Sequence, residues 1–398
     1  MMASSTQKLR WERPRMYRRV AGFSLVELMV SIVIGLLALL FATRMMTDSE
    51  SNKDGALGGS ESMQNGMMAM FSISADAEQA GYGLNDPILA GCDTIFKDTK
   101  GFVMTTAKRG AADVQPLAAA VITNGGTEPD RVTLYAGSAT SGTATVRLIS
   151  NYNGGNQIAL DRVPYGFAVG DVIVAAPEDG DGRCALAQIS TLTDDAPSLG
   201  FADTSDRFNI GELGRTFPGS ATRVFNLGRS ANLAFHTWLV DDGVLRLQAT
   251  NLGASGDNGQ AVADNIVSLK AQYGFDTRAV ATFDPEQGMQ VREWSNTMID
   301  ADGDTVIGSP GDYQRIAALR IAVVARNKSP KRVAAGSSCD TTTEALKVFE
   351  SAQPSGVTAV PVTLDLAVEN DPVDWKCYRY RAFETVVPLR NTGWRPTA

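Results

Sequence analysis

The clearest hydrophobic pattern in the chain is a continuous apolar run from Phe23 to about Thr43. A helix of about 20 residues spans the hydrocarbon core of a bilayer, so the run predicts a transmembrane helix over about residues 23–43. One acid, Glu27, lies near its beginning. Because a carboxylate in a membrane helix costs at least about 2.5 kcal/mol, we expect Glu27 to have a partner and a function.

A basic segment precedes the apolar run. Residues 1–22 carry six basic side chains and one acid. Such a flank predicts that this segment is cytoplasmic and that the bulk of the chain lies on the other side of the membrane. A secretory signal would have a shorter apolar region followed by a small-residue cleavage site, and none closes the run before Thr43. A single-pass signal anchor is the simplest interpretation.

A more specific motif lies at the start of the run. The sequence from Arg19 to Glu27, RVAGFSLVE, resembles the class III signal of type IV prepilins and pseudopilins. The resemblance implies that a prepilin peptidase cuts between Gly22 and Phe23 and methylates Phe23, which makes residues 1–22 a removed leader. Glu27 becomes the fifth mature residue. We expect its carboxylate to meet the N-terminal amine of a neighbouring subunit, because two buried charges are tolerable as a pair.

The helix is expected to continue to about Gly83 and to pack on a globular part. Five residues at helical spacing predict its core-facing stripe: Met63, Met67, Met70, Phe71 and Ser74. Glycine costs about 1 kcal/mol relative to alanine inside a helix, so we expect a bend or a melted segment near Gly55–Gly59.

Short apolar stretches between turn residues predict a β-rich headgroup over residues 84–398. The predicted strands are Arg131–Ala136, Ala144–Ile149, Asp171–Ala176, Ala185–Ser190, Thr222–Leu227, Phe235–Val240, Val244–Gln248, Ile266–Phe275 and Tyr378–Leu389. We expect the first two to form a hairpin, and Asp241–Gly243 to form a tight turn between the sixth and seventh. A helix-then-strand unit is expected from Val262. Tyr313–Arg326 reads as a buried strand, although its periodicity also allows a helix.

The net charge and the cysteine content indicate what the exported part of the chain can bind and whether it carries disulfides. The 398-residue chain has a net charge of −8, and removal of the leader, which carries a net charge of +5, leaves about −13. Such an acidic ectodomain argues against direct nucleic-acid binding. Four cysteines in an exported domain predict disulfides, and of the three possible pairings we favour Cys92–Cys184 and Cys339–Cys377. Buried free thiols are the alternative.

Catalytic and metal motifs are sparse. The single histidine, His236, lies in an apolar, aromatic stretch and is more typical of a structural than of a catalytic residue. No Gly-x-Ser-x-Gly elbow, phosphate loop or dinucleotide fingerprint occurs, so no cofactor is expected. Asp300, Asp302 and Asp304 alternate as in a calcium loop. The EF-hand pattern fails at positions six and twelve, so solvated acidic turns are the more common interpretation.

Several headgroup segments resemble PilW-type minor pilins. They are Gly170–Val174, Asn226–Gly228, Val262–Val267 with Tyr273-Gly274, Arg320–Arg326 and Tyr378–Glu384, together with the tract Val386–Asn391. The resemblance implies an α+β, pilin-like fold with a long N-terminal membrane helix packed on a β-rich headgroup. It also implies a non-enzymatic subunit of a type IV pilus initiation or tip complex, needed for motility or adhesion. Implied partners are other minor pilins, the major pilin, the prepilin peptidase and the inner-membrane assembly platform.

Two alternative functions remain open at this stage. A minor pseudopilin of a type II secretion system would carry the same N-terminal signal. The other alternative is a membrane-tethered enzyme, binding protein or adhesin, of which an enzyme or binding protein would need a cleft of convergent polar groups. The implied location is the inner membrane, with a periplasmic headgroup, and then the pilus or cell surface.

Overall fold

The computed structural model describes residues 24–392 except 139–144, 179, 181, 253–257, 285, 332 and 334–336. The expected cleavage residues, Gly22 and Phe23, lie outside the described residues. The chain divides into two compact units, residues 1–56 and residues 57–398.

Two helices, three short 3-10 turns and 22 strands make up the described chain. The helices are α1 Leu25–Gln79 and α2 Pro310–Gln314, and the 3-10 turns are Ser230–Asn232, Val280–Thr282 and Trp375–Cys377. The strands are β1 Cys92–Ile95, β2 Ala107–Arg109, β3 Ala112–Val114, β4 Pro116–Leu117, β5 Ala120–Thr123, β6 Arg131–Ala136, β7 Thr145–Arg147, β8 Gln157–Ala159, β9 Asp171–Pro177, β10 Arg183–Gln188, β11 Thr191–Leu192, β12 Ser198–Gly200, β13 Thr222–Arg229, β14 Ala234–Asp241, β15 Val244–Ala249, β16 Gln260–Asp264, β17 Ile266–Phe275, β18 Glu293–Ser295, β19 Ile316–Arg326, β20 Lys347–Val348, β21 Val362–Thr363 and β22 Tyr380–Pro388.

Helix α1 contributes residues 25–56 to the first unit and residues 57–79 to the second. It is helical throughout Gly55–Gly59, so the expected melted segment is wrong. One of these glycines has a packing reason, because a Cβ added at Gly58 would lie 3.2 Å from Cβ of Asn327. The helix ends four residues before the expected boundary, and Gly81 and Gly83 follow it with positive φ angles of 82° and 74°.

The buried face of residues 57–80 consists mostly of small side chains. Its residues recur every three or four positions: Gly58, Ser62, Gly66, Ala69, Ile73, Ala77 and Ala80. Met63, Met67 and Phe71 are exposed, and Met70 is partly buried. The expected methionine stripe is therefore wrong as the core face. Small residues let the helix approach the strands closely, and the larger side chains lie on its flank.

A four-stranded antiparallel sheet, ordered β18-β17-β19-β22, contains the most deeply buried strands. All ten residues of β17 and all but the last of the eleven residues of β19 are buried. This decides the open alternative for Tyr313–Arg326, because only its first residues are helical. There α2 begins at a capping box in which Ser309 accepts from the Asp312 N–H.

A five-stranded sheet, ordered β16-β15-β14-β6-β5, packs in the same main core. The tight turn between β14 and β15 forms as expected, with positive φ at Asp242 and Gly243. The expected hairpin of β6 with the following strand is wrong, because β6 pairs with β5 and β14 whereas β7 pairs with β13. Val262 lies in strand β16, so the helix expected there is also wrong.

A six-stranded sheet, ordered β4-β1-β10-β9-β13-β7, and a three-stranded sheet, ordered β11-β12-β8, enclose a second core. The disulfide Cys92–Cys184 joins β1 to β10, and Cys339–Cys377 joins the segment before β20 to the segment before β22. This is the pairing that the sequence analysis favours. The described residues thus form an α+β protein in which an N-terminal apolar helix precedes a large strand-rich domain with two disulfides.

Candidate assembly surface

An apolar helical segment lies in the described part of the first unit. Residues Leu25–Thr47 are long and apolar enough to cross a membrane. Their large hydrophobic side chains are all exposed, which is expected of a helix that packs on lipid or on other helices. This unit therefore meets the length and composition of a membrane span.

Glu27 lies in the first turn of this helix, and its side chain is exposed. Ser31 Oγ donates to the backbone carbonyl of Glu27 at 2.6 Å, so this hydrogen bond does not involve the Glu27 carboxylate. The nearest basic residue along the described part of the helix is Arg44, about 26 Å away at 1.5 Å per residue. Within the described part of the helix, no basic residue thus lies within ion-pair distance of Glu27.

In the second unit, Asp76 of α1 connects the helix to strand β14. Its Oδ2 accepts from Nε1 of Trp238 at 2.7 Å, and its Oδ1 lies 2.7 Å from Nδ1 of His236. The opposite ring nitrogen of His236 lies 2.8 Å from Oδ1 of Asn251. Each ring nitrogen thus faces an oxygen, which favours the doubly protonated imidazolium.

The charge of Asp76 changes the titration of this histidine. Burial lowers the pKa of His236, but the hydrogen bond and charge of Asp76 and the bond to Asn251 outweigh it, so the pKa is raised. Both ring nitrogens of His236 are thus occupied and its carboxylate partner is 17% exposed, an arrangement that fits the structural role that the sequence analysis favours. The sequence analysis missed Asp76, Trp238 and Asn251. The sequence signal for this contact was Asp76, an acid next to the buried face of helix α1.

The end of α1 is held by the C-terminal tract. Asn391 Nδ2 lies 3.2 Å from the carbonyl oxygen of Ala80 and 3.3 Å from that of Gln79. The last carbonyls of a helix have no partner within the helix, so Asn391 supplies one. The Gly81 N–H also donates to the Tyr135 carbonyl at 2.8 Å.

The acidic loop brings Asp300, Asp302 and Asp304 together, with one oxygen from each lying within 4.8 Å of the others. Loop amides already bond these carboxylates: Asp300 accepts from the Gly303 and Thr305 N–H groups. The fully buried Asp312, one residue past the EF-hand position, accepts from backbone N–H groups at both ends of the loop. Burial raises the pKa of Asp312, although these donors oppose the shift. Asp312 therefore organises the loop itself.

A cleft of about 400 Å³ lies in the second unit. Its lining is Gly83, Asn85, Asp86, Pro87, Thr145, Arg223, Phe225, Arg390, Asn391 and Thr392. Asp86 and Arg223 form an ion pair at 2.8 Å across this lining. None of these lining residues is a serine, cysteine or histidine, and the lining hydroxyl groups are those of Thr145 and Thr392.

Two sequence families match the chain. The prokaryotic N-terminal methylation motif matches residues 17–43, and the family described as type IV pilus-assembly protein W, PilW, matches residues 234–391. The match to PilW defines a PilW domain over residues 234–391. The PilW domain runs from the start of β14 to Asn391, so it contains His236, Trp238 and the strands of the deeply buried sheet.

The description of the matched family names pilus assembly. The methylation motif is the processing motif of a prepilin peptidase. Among solved structures, the chain is similar to a type IV-like pilin from Thermus thermophilus, with 11% identity and a TM-score of 0.21 over 57% of this chain and 86% of that chain. No curated protein matches the chain.

Proposed function

We propose that the chain is a minor pilin of a type IV pilus, a low-abundance subunit of the complex that initiates the filament. The observation that carries the proposal is the presence, in one chain, of the N-terminal methylation motif and a PilW domain. A tethered enzyme is less well supported, because the single histidine lies outside the cleft lining and is bonded at both ring nitrogens.

Processing comes first in the proposed sequence of events. The basic leader stays in the cytoplasm, the apolar helix enters the inner membrane, and the headgroup lies in the periplasm. The prepilin peptidase then cleaves between Gly22 and Phe23 and methylates Phe23. Cleavage creates a positively charged amine at the end of the apolar helix.

Assembly then depends on Glu27. Its carboxylate is too far from Arg44 for an ion pair within its own helix, and the cost of a charge in a lipid or helix-packed environment demands a partner. The amine of Phe23 on a neighbouring pilin supplies that partner and fixes the axial register of the two helices. The apolar surface of residues 25–47 supplies the rest of the contact.

The test is a replacement of Glu27 in a strain that lacks the wild-type chain. Glu27→Leu should leave the chain processed and in the membrane but absent from sheared filaments, because the register-setting charge is lost. Glu61→Gln, which removes an acid beyond the apolar segment, is the matched control and should enter filaments normally. Undiminished incorporation of the Glu27→Leu chain would contradict the proposed assembly role.

A second measurement separates the pilus from a secretion pseudopilus. Deletion of the gene should abolish surface filaments and twitching motility while exoprotein secretion continues. Loss of secretion with intact motility would assign the chain to a type II secretion system instead. The PilW domain, which the N-terminal motif alone does not imply, favours the pilus.

A further inference from the structure

Strand β22 has the longest unpaired edge among the strands that the structure describes. It is nine residues long and lies at one end of the four-stranded sheet, where β19 is its sole strand partner. An unpaired edge presents a row of free N–H and C=O groups, which proteins usually cover or shorten. Such an edge can accept an additional strand.

The hydrogen bonds at the two ends of β22 show which of its residues direct their backbone groups toward β19. The Leu389 N–H donates to Ala317, and the Arg379 carbonyl accepts from Asn327. The register between β19 and β22 is regular, so the odd-numbered residues face β19. The even-numbered residues Ala382, Glu384 and Val386 therefore direct their N–H and C=O groups away from the sheet. Pro388, which has no N–H, also occupies an outward position.

The flank of α1 beside this edge is apolar and exposed. Gly66 lies against the ring of Phe383, which places β22 beneath the centre of the helix face. Asn65 and Asp76 bond to Asp264 and to strand β14 on one flank. The opposite flank, defined by Met63 and Met67, thus projects beyond β22, and their side chains are 45% and 53% exposed.

We propose that β22 accepts an extended strand from a second, different protein, and that the flank of Met63 and Met67 covers that strand. A strand added beside β22 would lie about 4.8 Å from it. At that distance it would pair with the free groups of Ala382, Glu384 and Val386. It would also lie beneath the two methionines. One occupant thus satisfies both an open hydrogen-bonding edge and an uncovered apolar flank.

The charge at one end of β22 indicates the chemistry of the partner strand. Arg379 and Arg381 are exposed, and no acid among the described residues pairs with either. The two arginines share the α1-facing side of the sheet with Phe383, because alternate residues of a strand share one face. The partner strand should therefore carry an acid opposite the arginines and apolar residues opposite Phe383.

A second copy of this chain fits the edge poorly. Antiparallel pairing of two β22 edges would relate the copies by a two-fold axis perpendicular to the sheet. The residues on the α1-facing side of the second β22 would then lie opposite Arg379 and Arg381. None of the odd-numbered residues 379–389 is an acid, so this pairing does not neutralise the two arginines.

The test uses the full chain in detergent and a fluorescent peptide as the probe. The peptide has nine residues that alternate valine and threonine, with glutamate at one end. Two further peptides carry N-methyl groups on alternate residues. In one peptide these groups lie along one edge of the strand, and in the other peptide they lie along the opposite edge. Strand addition predicts saturable binding of the parent peptide, retained binding of one methylated peptide, and at least a roughly tenfold weaker affinity for the other, because several backbone hydrogen bonds are lost.

Substitutions on the exposed flank of α1 provide a second test of the proposal. Met67→Lys should weaken the binding of the parent peptide several-fold. Met68→Lys, a change of the same residue type at the same exposure but on another side of the helix, should not. Absence of saturable binding, equal effects of the two N-methyl patterns, or equal effects of the two lysine variants would each overturn the proposal. Self-association through β22, detected as a dimer that Ala382→Pro abolishes, would also overturn it.

Discussion

Gly66 of α1 lies directly against the aromatic ring of Phe383 in β22. A Cβ added at this glycine would lie 2.0 Å from Cε2 of that ring, closer than any real contact allows. The glycine therefore marks a close approach of the helix to the sheet, although glycine inside a helix is unfavourable by itself.

Replacement of Gly66 by alanine should destabilise the protein. Overpacking typically costs about 1–3 kcal/mol, and the better helix propensity of alanine returns about 1 kcal/mol. We expect a net loss of about 1–2 kcal/mol in the free energy of unfolding, measured by urea denaturation of the chain in detergent.

Gly59 provides the control, because nothing lies within 4 Å of a Cβ added there. Gly59→Ala should raise the free energy of unfolding by about 1 kcal/mol. Equal stabilisation by both alanine variants would show that Gly66 is not a packing position.

The pair formed by His236 and Asp76 should make stability depend on pH. The pKa of His236 is raised in the folded state because Asp76 and Asn251 outweigh the effect of burial. The stabilisation is therefore complete below the unfolded pKa of about 6.5 and is lost as pH rises through the folded pKa. The measurement is the free energy of unfolding as a function of pH, with and without His236→Gln.

The difference between wild type and His236→Gln isolates this group from all others that titrate. It should be largest at low pH and shrink as pH rises. Trp238→Phe is the control, since it removes a hydrogen bond to Asp76 at a cost of about 2 kcal/mol but keeps the titrating pair. A difference that grows with pH would contradict the assigned contacts.

The two disulfides should contribute unequally to stability. Cys92 and Cys184 are 92 residues apart in sequence, whereas Cys339 and Cys377 are 38 apart. Loop-closure entropy gives about 5 kcal/mol for the longer loop and about 4 kcal/mol for the shorter one. Thermal unfolding of Cys92→Ala/Cys184→Ala and Cys339→Ala/Cys377→Ala should show the larger loss for the first pair. The reverse order would contradict the loop argument.

Local patterns predicted the strands well where the buried surface is continuous. The bounds of β17 match the prediction, and β19 is a strand because its apolar run is buried on both faces. The turn at Asp242 and Gly243 could be predicted because aspartate and glycine adopt the positive φ angles that such a turn requires. The true partners of β6 and β7 could not be predicted in this way, since β14, which pairs with β6, and β13, which pairs with β7, lie far along the chain.

The helix face was misassigned for a specific reason. The stripe Ser62, Gly66, Ala69, Ile73 and the neighbouring stripe Met63, Met67, Met70, Ser74 have the same spacing, so periodicity cannot separate them. The sequence analysis chose the stripe with the larger residues, but the sheet lies too close to the helix to accommodate them. Asp76 was missed because its partner His236 lies 160 residues away in the sequence.

The most direct test of the assembly account is the N-terminal residue and intact mass of the chain recovered from membranes of a strain with a working prepilin peptidase. The account predicts a chain that begins at N-methylated Phe23, because the charged amine that Glu27 is proposed to bind exists only after cleavage. A chain that retains residues 1–22 would contradict it.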